Sequence, residues 1–261
     1  MKFIDIHSHL ADHYFDEDRD EVIARMHASD VETITIGVDE KTSQDAIECA
    51  AKYDNVWACI GVHPEDGDSF DELVFNELVQ HDNVVAIGEC GLDYFRTDDK
   101  IAARKKQLPF FEQQIHFALE HDLPLMLHIR PSKGSVDAYD EVLEVLLRSG
   151  RAAGRPPRGN AHFFAGNVDQ AKRFFDLGFT ISFTGVITFT NDYDDVIQMA
   201  PLDMLHAETD APFVTPKPHR GKRCEPMHVV HVVEKIAQLK KLSIEDTAEQ
   251  LLANAARLFN I

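Results

Sequence analysis

The sequence is short of cysteine, tryptophan and positive charge, and it has no long apolar run. Its four cysteines, Cys49, Cys59, Cys90 and Cys224, are scattered, and no two form a CxxC pair. That spacing argues against a thiolate zinc site and a disulfide framework, and it fits a reducing compartment. No stretch reaches the ~18 apolar residues that a membrane span requires. Residues 1–30 carry acids and histidines where a signal peptide needs an apolar segment, so a cytoplasmic location without a membrane partner is expected. Lysine and arginine number 26 against 45 aspartates and glutamates, a net charge of −19. Such a surface repels polyanions at long range. A phosphate-bearing ligand therefore has to be held by local positive charge, from metal ions or a basic loop.

What is present is the composition of an ordinary globular protein, 261 residues with 44% hydrophobic and 27% charged. Short β-branched runs alternate with longer amphipathic stretches, the pattern of βα units around a parallel sheet. Eight strands are expected: Phe3–His7, Glu32–Gly37, Val56–Gly61, Asn83–Glu89, Pro124–His128, Asn160–Phe163, Phe179–Phe183 and Met204–Thr209. Helices are expected over Ile101–Asp122, over Asn167–Leu177 with Asn167 as N-cap, and after the cap residue Ser243. The count predicts a single (β/α)8 TIM barrel over residues 1–261, with its functional loops at the C-terminal ends of the strands. Two irregular segments stand out. One is the Gly/Pro/Arg loop Gly150–Gly159; the other is Ala211–Pro226, with four prolines and five basic residues, His219 among them.

Strand ends carry the chemistry. His7-Ser8-His9 closes the first strand, and residues i and i+2 of a strand face the same side. Glu89 ends the fourth expected strand, His128 the fifth, His162 lies in the sixth, and Asp210 follows the eighth. Singly, each has an ordinary structural reading: a cap for Glu89 or Asp210, a core histidine for His128, packing against Phe163 for His162. Together they place six nitrogen and oxygen donors on one face of a parallel barrel. Imidazole with carboxylate and no thiolate suits Zn²⁺, Mn²⁺, Mg²⁺ or Fe²⁺. Six donors exceed what one ion uses, so two divalent ions sharing a carboxylate are expected. The only dense basic cluster, Lys217–Arg223, leaves the eighth strand, where Arg220 and Arg223 can reach substrate phosphates or simply stay solvated. Tyr94 and Phe95 can stack on a base or pack the barrel mouth.

Longer motifs bind these residues together: FIDIHSHL at the start, GVHP at Gly61–Pro64 and AIGECGLDYF at Ala86–Phe95. Further along come LHIR at Leu127–Arg130, ISFTGVITF at Ile181–Phe189, ETDAPF at Glu208–Phe213 and RGKRCEP at Arg220–Pro226. Over nearly all of its length the chain resembles the TatD family of metal-dependent deoxyribonucleases, within the amidohydrolase-like barrels. The resemblance implies His7, His9, Glu89, His128, His162 and Asp210 as metal ligands, with Glu89 bridging where many amidohydrolases use a carboxylated lysine. It implies His63 beside the substrate phosphate, with Arg130 as a second candidate for that place. The sequence departs from the family pattern twice, with His162-Phe163-Phe164 where His-Cys-Phe is usual, and Cys224 where an asparagine usually precedes Glu-Pro. Neither departure removes a ligand.

The implied activity is two-metal phosphodiester hydrolysis with Mg, Mn or Zn, as a 3′-to-5′ exonuclease on single-stranded DNA or frayed ends. Asp210 both binds metal and accepts the proton of the attacking water, Glu89 bridges the ions, and His63 with Arg130, Arg220 and Arg223 holds phosphate oxygens. The same site also suits an amidohydrolase-like enzyme acting on a small-molecule or aminoacyl-tRNA ester or amide. A barrel that has lost turnover is a third reading, disfavoured by retention of all six donors.

Overall fold

The computed structural model describes residues 1–67 and 69–261. Eight parallel strands lie in one sheet in chain order: β1 Phe3–Ser8, β2 Val31–Ile36, β3 Val56–Ile60, β4 Val84–Asp93, β5 Leu125–Arg130, β6 Gly159–Ala161, β7 Thr180–Phe183 and β8 Leu205–Ala207. Parallel neighbours need crossover connections, and helices supply them. These are α1 Arg19–Ala28, α2 Glu40–Lys52, α3 Glu72–Leu78, α4 Lys100–Glu120, α5 Asp137–Ala153, α6 Val168–Asp176 and α7 Asp194–Met199, and α8 Val229–Lys240 and α9 Ile244–Phe259 follow β8. The sheet curls until the segment after β8 meets β1. There the Asp210 N–H donates to the His7 carbonyl at 2.9 Å and the His9 N–H to the Ala211 carbonyl at 2.7 Å. The architecture is the expected (β/α)8 barrel. No helix among the described residues is long and apolar enough to cross a membrane.

Local sequence explains the helix ends. Asn167 caps α6, accepting from the Asp169 and Gln170 amides while the Gln170 side chain returns to the Asn167 amide. Ser243 caps α9 through the Asp246 amide, and Ala248, Leu251, Ala255 and Leu258 form the buried face. Inside the barrel, Ile4, Ile6, Ile34 and Ile36 alternate along their strands and meet Cys59 and Met126, with Leu258 and Phe259 of α9 packed against them. Burying each such large side chain contributes about 1.5–3 kcal/mol. This apolar plug leaves polar residues to the C-terminal mouth.

Strand ends differ from expectation where the mouth is built. β4 runs four residues past Glu89 to Asp93, because its ladder with β5 continues to Arg130 after a register shift between Gly88 and Cys90. β6 and β8 instead stop short of His162 and Thr209. The chain turns out of regular structure at Phe163 (φ 45°), Asp210 (φ 57°) and Val214 (φ 49°), left-handed conformations that side chains other than glycine seldom adopt. Such backbone strain tends to gather at functional sites.

Candidate metal centre

His7, Glu89 and His128 lie within strands β1, β4 and β5, and His9, His162 and Asp210 lie one to three residues beyond β1, β6 and β8, held by backbone contacts. His7 sits in β1, its N–H on the buried Asp5 carboxylate at 3.2 Å. The Glu89 N–H donates to the Gly37 carbonyl beyond β2 at 3.2 Å, and the His162 N–H to Leu127 of β5 at 3.1 Å. β4 can approach β5 this closely only without a side chain at Gly91 (φ 147°), where a Cβ would lie 2.0 Å from the His128 carbonyl oxygen.

The structure brings all six expected donors to one mouth, around Glu89. One oxygen of Glu89, Oε2, lies 3.5 Å from His7 Nε2 and 3.9 Å from His9 Nε2. Asp210 Oδ1 joins that side, 3.8 Å from His7 Nε2 and 3.4 Å from His9 Nε2. The other oxygen, Oε1, lies 2.7 Å from His128 Nδ1, 3.4 Å from His162 Nε2 and 3.9 Å from His63 Nε2. One carboxylate thus faces two groups of donors. The donor set fits a divalent cation: His7 is fully buried, yet neither ring nitrogen has a hydrogen-bond partner. An orphaned polar atom of that kind costs about 1–3 kcal/mol unless something outside the chain satisfies it. Donor atoms of His7, His9 and Glu89, and likewise of His63, Glu89 and His128, lie within 4.8 Å of one another, spacings compatible with coordination.

Charge is balanced inside the cluster. Burial opposes ionisation of Glu89, but His162, His128 and His7 outweigh it and hold the carboxyl well below its usual range. Burial also opposes ionisation of Asp210, and the His9 hydrogen bond with the charge of His162 reverses that. Burial and the nearby His162 push the His7 imidazole down, which keeps it neutral and ready to ligate. For His9 and His128 burial acts downward too, but Asp210 on one and Asp93 with Glu89 on the other leave both raised. His162, beside Glu208 and Glu89, is raised well above its ordinary value despite its burial.

Two carboxylates that sequence reasoning missed stand behind the donors. Glu208 is fully buried; its Oε1 lies 3.1 Å from His162 Nδ1 and accepts the Phe163 N–H at 2.6 Å, while Oε2 accepts the Ser182 hydroxyl at 2.8 Å. Asp93 Oδ2 lies 3.1 Å from His128 Nε2. Both had a signal available. Glu208 precedes Asp210 by two residues and Asp93 follows Glu89 by four, spacings that share a strand face.

The expected substrate contacts divide. His63 joins the cluster, its ring edge-on to His128 with centroids 4.3 Å apart. Arg130 lies over the exposed Phe95 ring at 4.2 Å, and Arg220 over Phe189 at 4.1 Å, donating to the Thr215 carbonyl. Of the two readings for Tyr94, stacking on a base and packing at the barrel mouth, the structure fits packing: the ring is buried and the hydroxyl donates to Glu141 at 2.8 Å. Arg223 is likewise not a free cation. It forks onto Asp18 at 2.8 and 2.6 Å and also donates to the Tyr14 carbonyl.

A (β/α)8 barrel with imidazoles and carboxylates gathered at its C-terminal mouth defines the class of metal-dependent hydrolases. Comparison with known proteins narrows the class. The model of the TatD-related DNase family matches residues 4–260, so the chain belongs to that family. It is 40% identical over 263 aligned positions to the uncharacterized metal-dependent hydrolase YabD of Bacillus subtilis, covering 98% of each chain. It is 31% identical to the 3′-5′ ssDNA/RNA exonuclease TatD of Klebsiella pneumoniae, covering 98% of this chain and 97% of that one. Among solved structures it superposes on YJJV, a TatD homologue from Escherichia coli K12, with a TM-score of 0.86 at 27% identity, covering 99% and 98% of the two chains.

Proposed function

We propose that the chain hydrolyses phosphodiester bonds at a two-ion centre, removing nucleotides from the 3′ end of single-stranded or frayed DNA. The observation that carries this reading is the division of Glu89, one oxygen toward His7 and His9 and the other toward His128 and His162. His7, His9 and Asp210 would hold one ion with Oε2, and His128 and His162 the other with Oε1. Bound ions would supply Lewis acidity at the phosphoryl oxygens and a lowered pKa for water. Asp210, ionised and locked by its N–H to the His7 carbonyl, takes the proton of the attacking water. His63, whose Nδ1 lies 2.5 Å from Asp66, is oriented to meet a non-bridging phosphate oxygen through Nε2. The relative named as a single-stranded DNA and RNA exonuclease supports the nucleic-acid substrate.

The test is digestion of 3′- and 5′-labelled oligonucleotides, single-stranded and duplex, under Mg²⁺, Mn²⁺ and Zn²⁺. A ladder shortening from the 3′ end is expected, faster on single strands. Asp210→Asn should lower turnover by roughly 10²–10⁴-fold. Absence of phosphodiester cleavage under every ion, with turnover of an ester or amide panel, would overturn the reading and favour the small-molecule hydrolase.

A further inference from the structure

Four aromatic side chains are strongly exposed among the described residues, Tyr14, Phe95, Phe189 and Phe213. All four lie in loops that follow a strand, at the end of the barrel that carries the metal cluster. Two of them form a row leading outward from that cluster. Phe213 meets the His9 ring at a steep angle with centroids 6.1 Å apart, Tyr14 meets Phe213 the same way at 5.8 Å, and His13 lies 4.2 Å beyond Tyr14. Tyr14 is also held through its backbone. Its carbonyl accepts from Arg223 at 2.8 Å, and the same guanidinium is forked on Asp18 and lies over Phe15. The basic loop therefore builds the platform instead of contacting phosphate through Arg223.

Tyr14 and His13 line a groove of about 860 Å³, together with His219, Lys222 and His228 of the segment after β8. Of the lysines and arginines lining it, Arg25 and Arg223 are paired with Glu225 and Asp18, and Lys222 has no carboxylate partner among the described residues. Glu17, Asp18 and Glu225 also line the groove, so a bare polyanionic backbone gains little there. Stacking on a flat ring is uncharged and indifferent to base identity, and it needs a base that is not already stacked in a duplex.

We propose that this groove is a nucleobase subsite. The Tyr14 ring, backed by Phe213, stacks on the base of a nucleotide adjoining the scissile phosphodiester, and the Lys222 ammonium meets the neighbouring phosphate. The inference rests on the phosphodiester reading above. It adds that the preference for unpaired strands comes from this row of rings.

The test uses full-length protein in an Asp210→Asn background, with fluorescent pentathymidylate at fixed free Mn²⁺ and anisotropy as readout. Tyr14→Ala should weaken binding about tenfold, and Tyr14→Phe should stay within about twofold of the parent. Tyr14 is 48% exposed and its carbonyl, not its ring, takes Arg223, so circular dichroism should be unchanged. A single abasic site, moved along the oligonucleotide, should at one position cost the parent about the same tenfold and cost Tyr14→Ala nothing more. Parent-like binding by Tyr14→Ala, or alanine and abasic losses that add in full, would overturn the subsite while leaving the hydrolytic reading intact. If the parent binds no oligonucleotide and the Asp210 protein cuts none, the phosphodiester reading itself fails, and the subsite with it.

Discussion

Glu208 holds His162 from the side away from Glu89, and Asp93 does the same for His128. A metal-ligating histidine needs such a partner to fix its tautomer and ring plane, and removing the partner typically costs 10–100-fold in metal affinity. Glu208→Ala also strands the Phe163 N–H and the Ser182 hydroxyl, so Zn²⁺ affinity read by chelator competition should fall by roughly that factor. Affinity within about twofold of the parent would show that Glu208 is a packing residue only. The raised imidazoles carry a second consequence. His9, His128 and His162 hold their protons to higher pH than a free histidine, because Asp210, Asp93, Glu89 and Glu208 outweigh their burial. A cation must displace those protons, so metal affinity should fall as pH drops through and below neutrality. Calorimetry in buffers of different ionisation enthalpy should register proton release on metal binding near pH 7; no release would contradict the protonated cluster.

At the scale of elements, the glycines of β4 and the loop after β8 set the geometry. Gly91→Ala puts a methyl group 2.0 Å from a β5 carbonyl, so strand β4 must shift. Thermal stability and metal content should fall together; a variant with parental metal content would show that the β4–β5 spacing is not critical. Of the loop arginines only Arg220 is free of ion pairs among the described residues, whereas Arg223 is neutralised by Asp18 and approached by Glu225 at 3.7 Å. For a single strand the slope of log affinity against log salt is about −0.7 per neutralised phosphate. Arg220→Ala should flatten the slope by about 0.7, and Arg223→Ala should leave it nearly unchanged while loosening the loop. Equal slope changes in the two variants would mean that Arg223 leaves Asp18 when nucleic acid binds.

The same elements show what could be read in the sequence. Short β-branched runs set between longer amphipathic stretches located all eight strands, and in β1 and β2 the isoleucines Ile4, Ile6, Ile34 and Ile36 also repeat with period two. The six donors were legible only together, because the C-terminal ends of all strands in a parallel barrel meet at one face. Glu208 and Asp93 carried only their spacing from Asp210 and Glu89, and their roles show once their partners, 46 and 35 residues away in the chain, are placed beside them. Tyr94 and Phe95 are adjacent aromatics whose burial and exposure are decided by Glu141 and Arg130, contacts that periodicity does not encode.

For the molecule as a whole, acid stability is governed partly by a histidine that takes no part in the proposed chemistry. His206 of β8 is completely buried, both ring nitrogens lack partners, and burial pushes its imidazole down to about 3. The unfolded chain takes up a proton near pH 6.5 that the folded chain refuses until about pH 3, so stability is kept above 6.5 and lost progressively below it. At pH 5 the loss is about 2 kcal/mol. In metal-free protein, His206→Leu should remove that part of the pH dependence; equal urea-midpoint losses from pH 7 to 5 in both proteins would refute it. The proposal that Glu89 bridges two ions is tested most directly by metal content per folded chain, measured by mass spectrometry after saturation and desalting. The native protein should hold two divalent ions, and Glu89→Gln, with an unchanged circular dichroism spectrum, should hold one or none. Two ions retained by Glu89→Gln, or a native protein that saturates at one, would contradict the bridge.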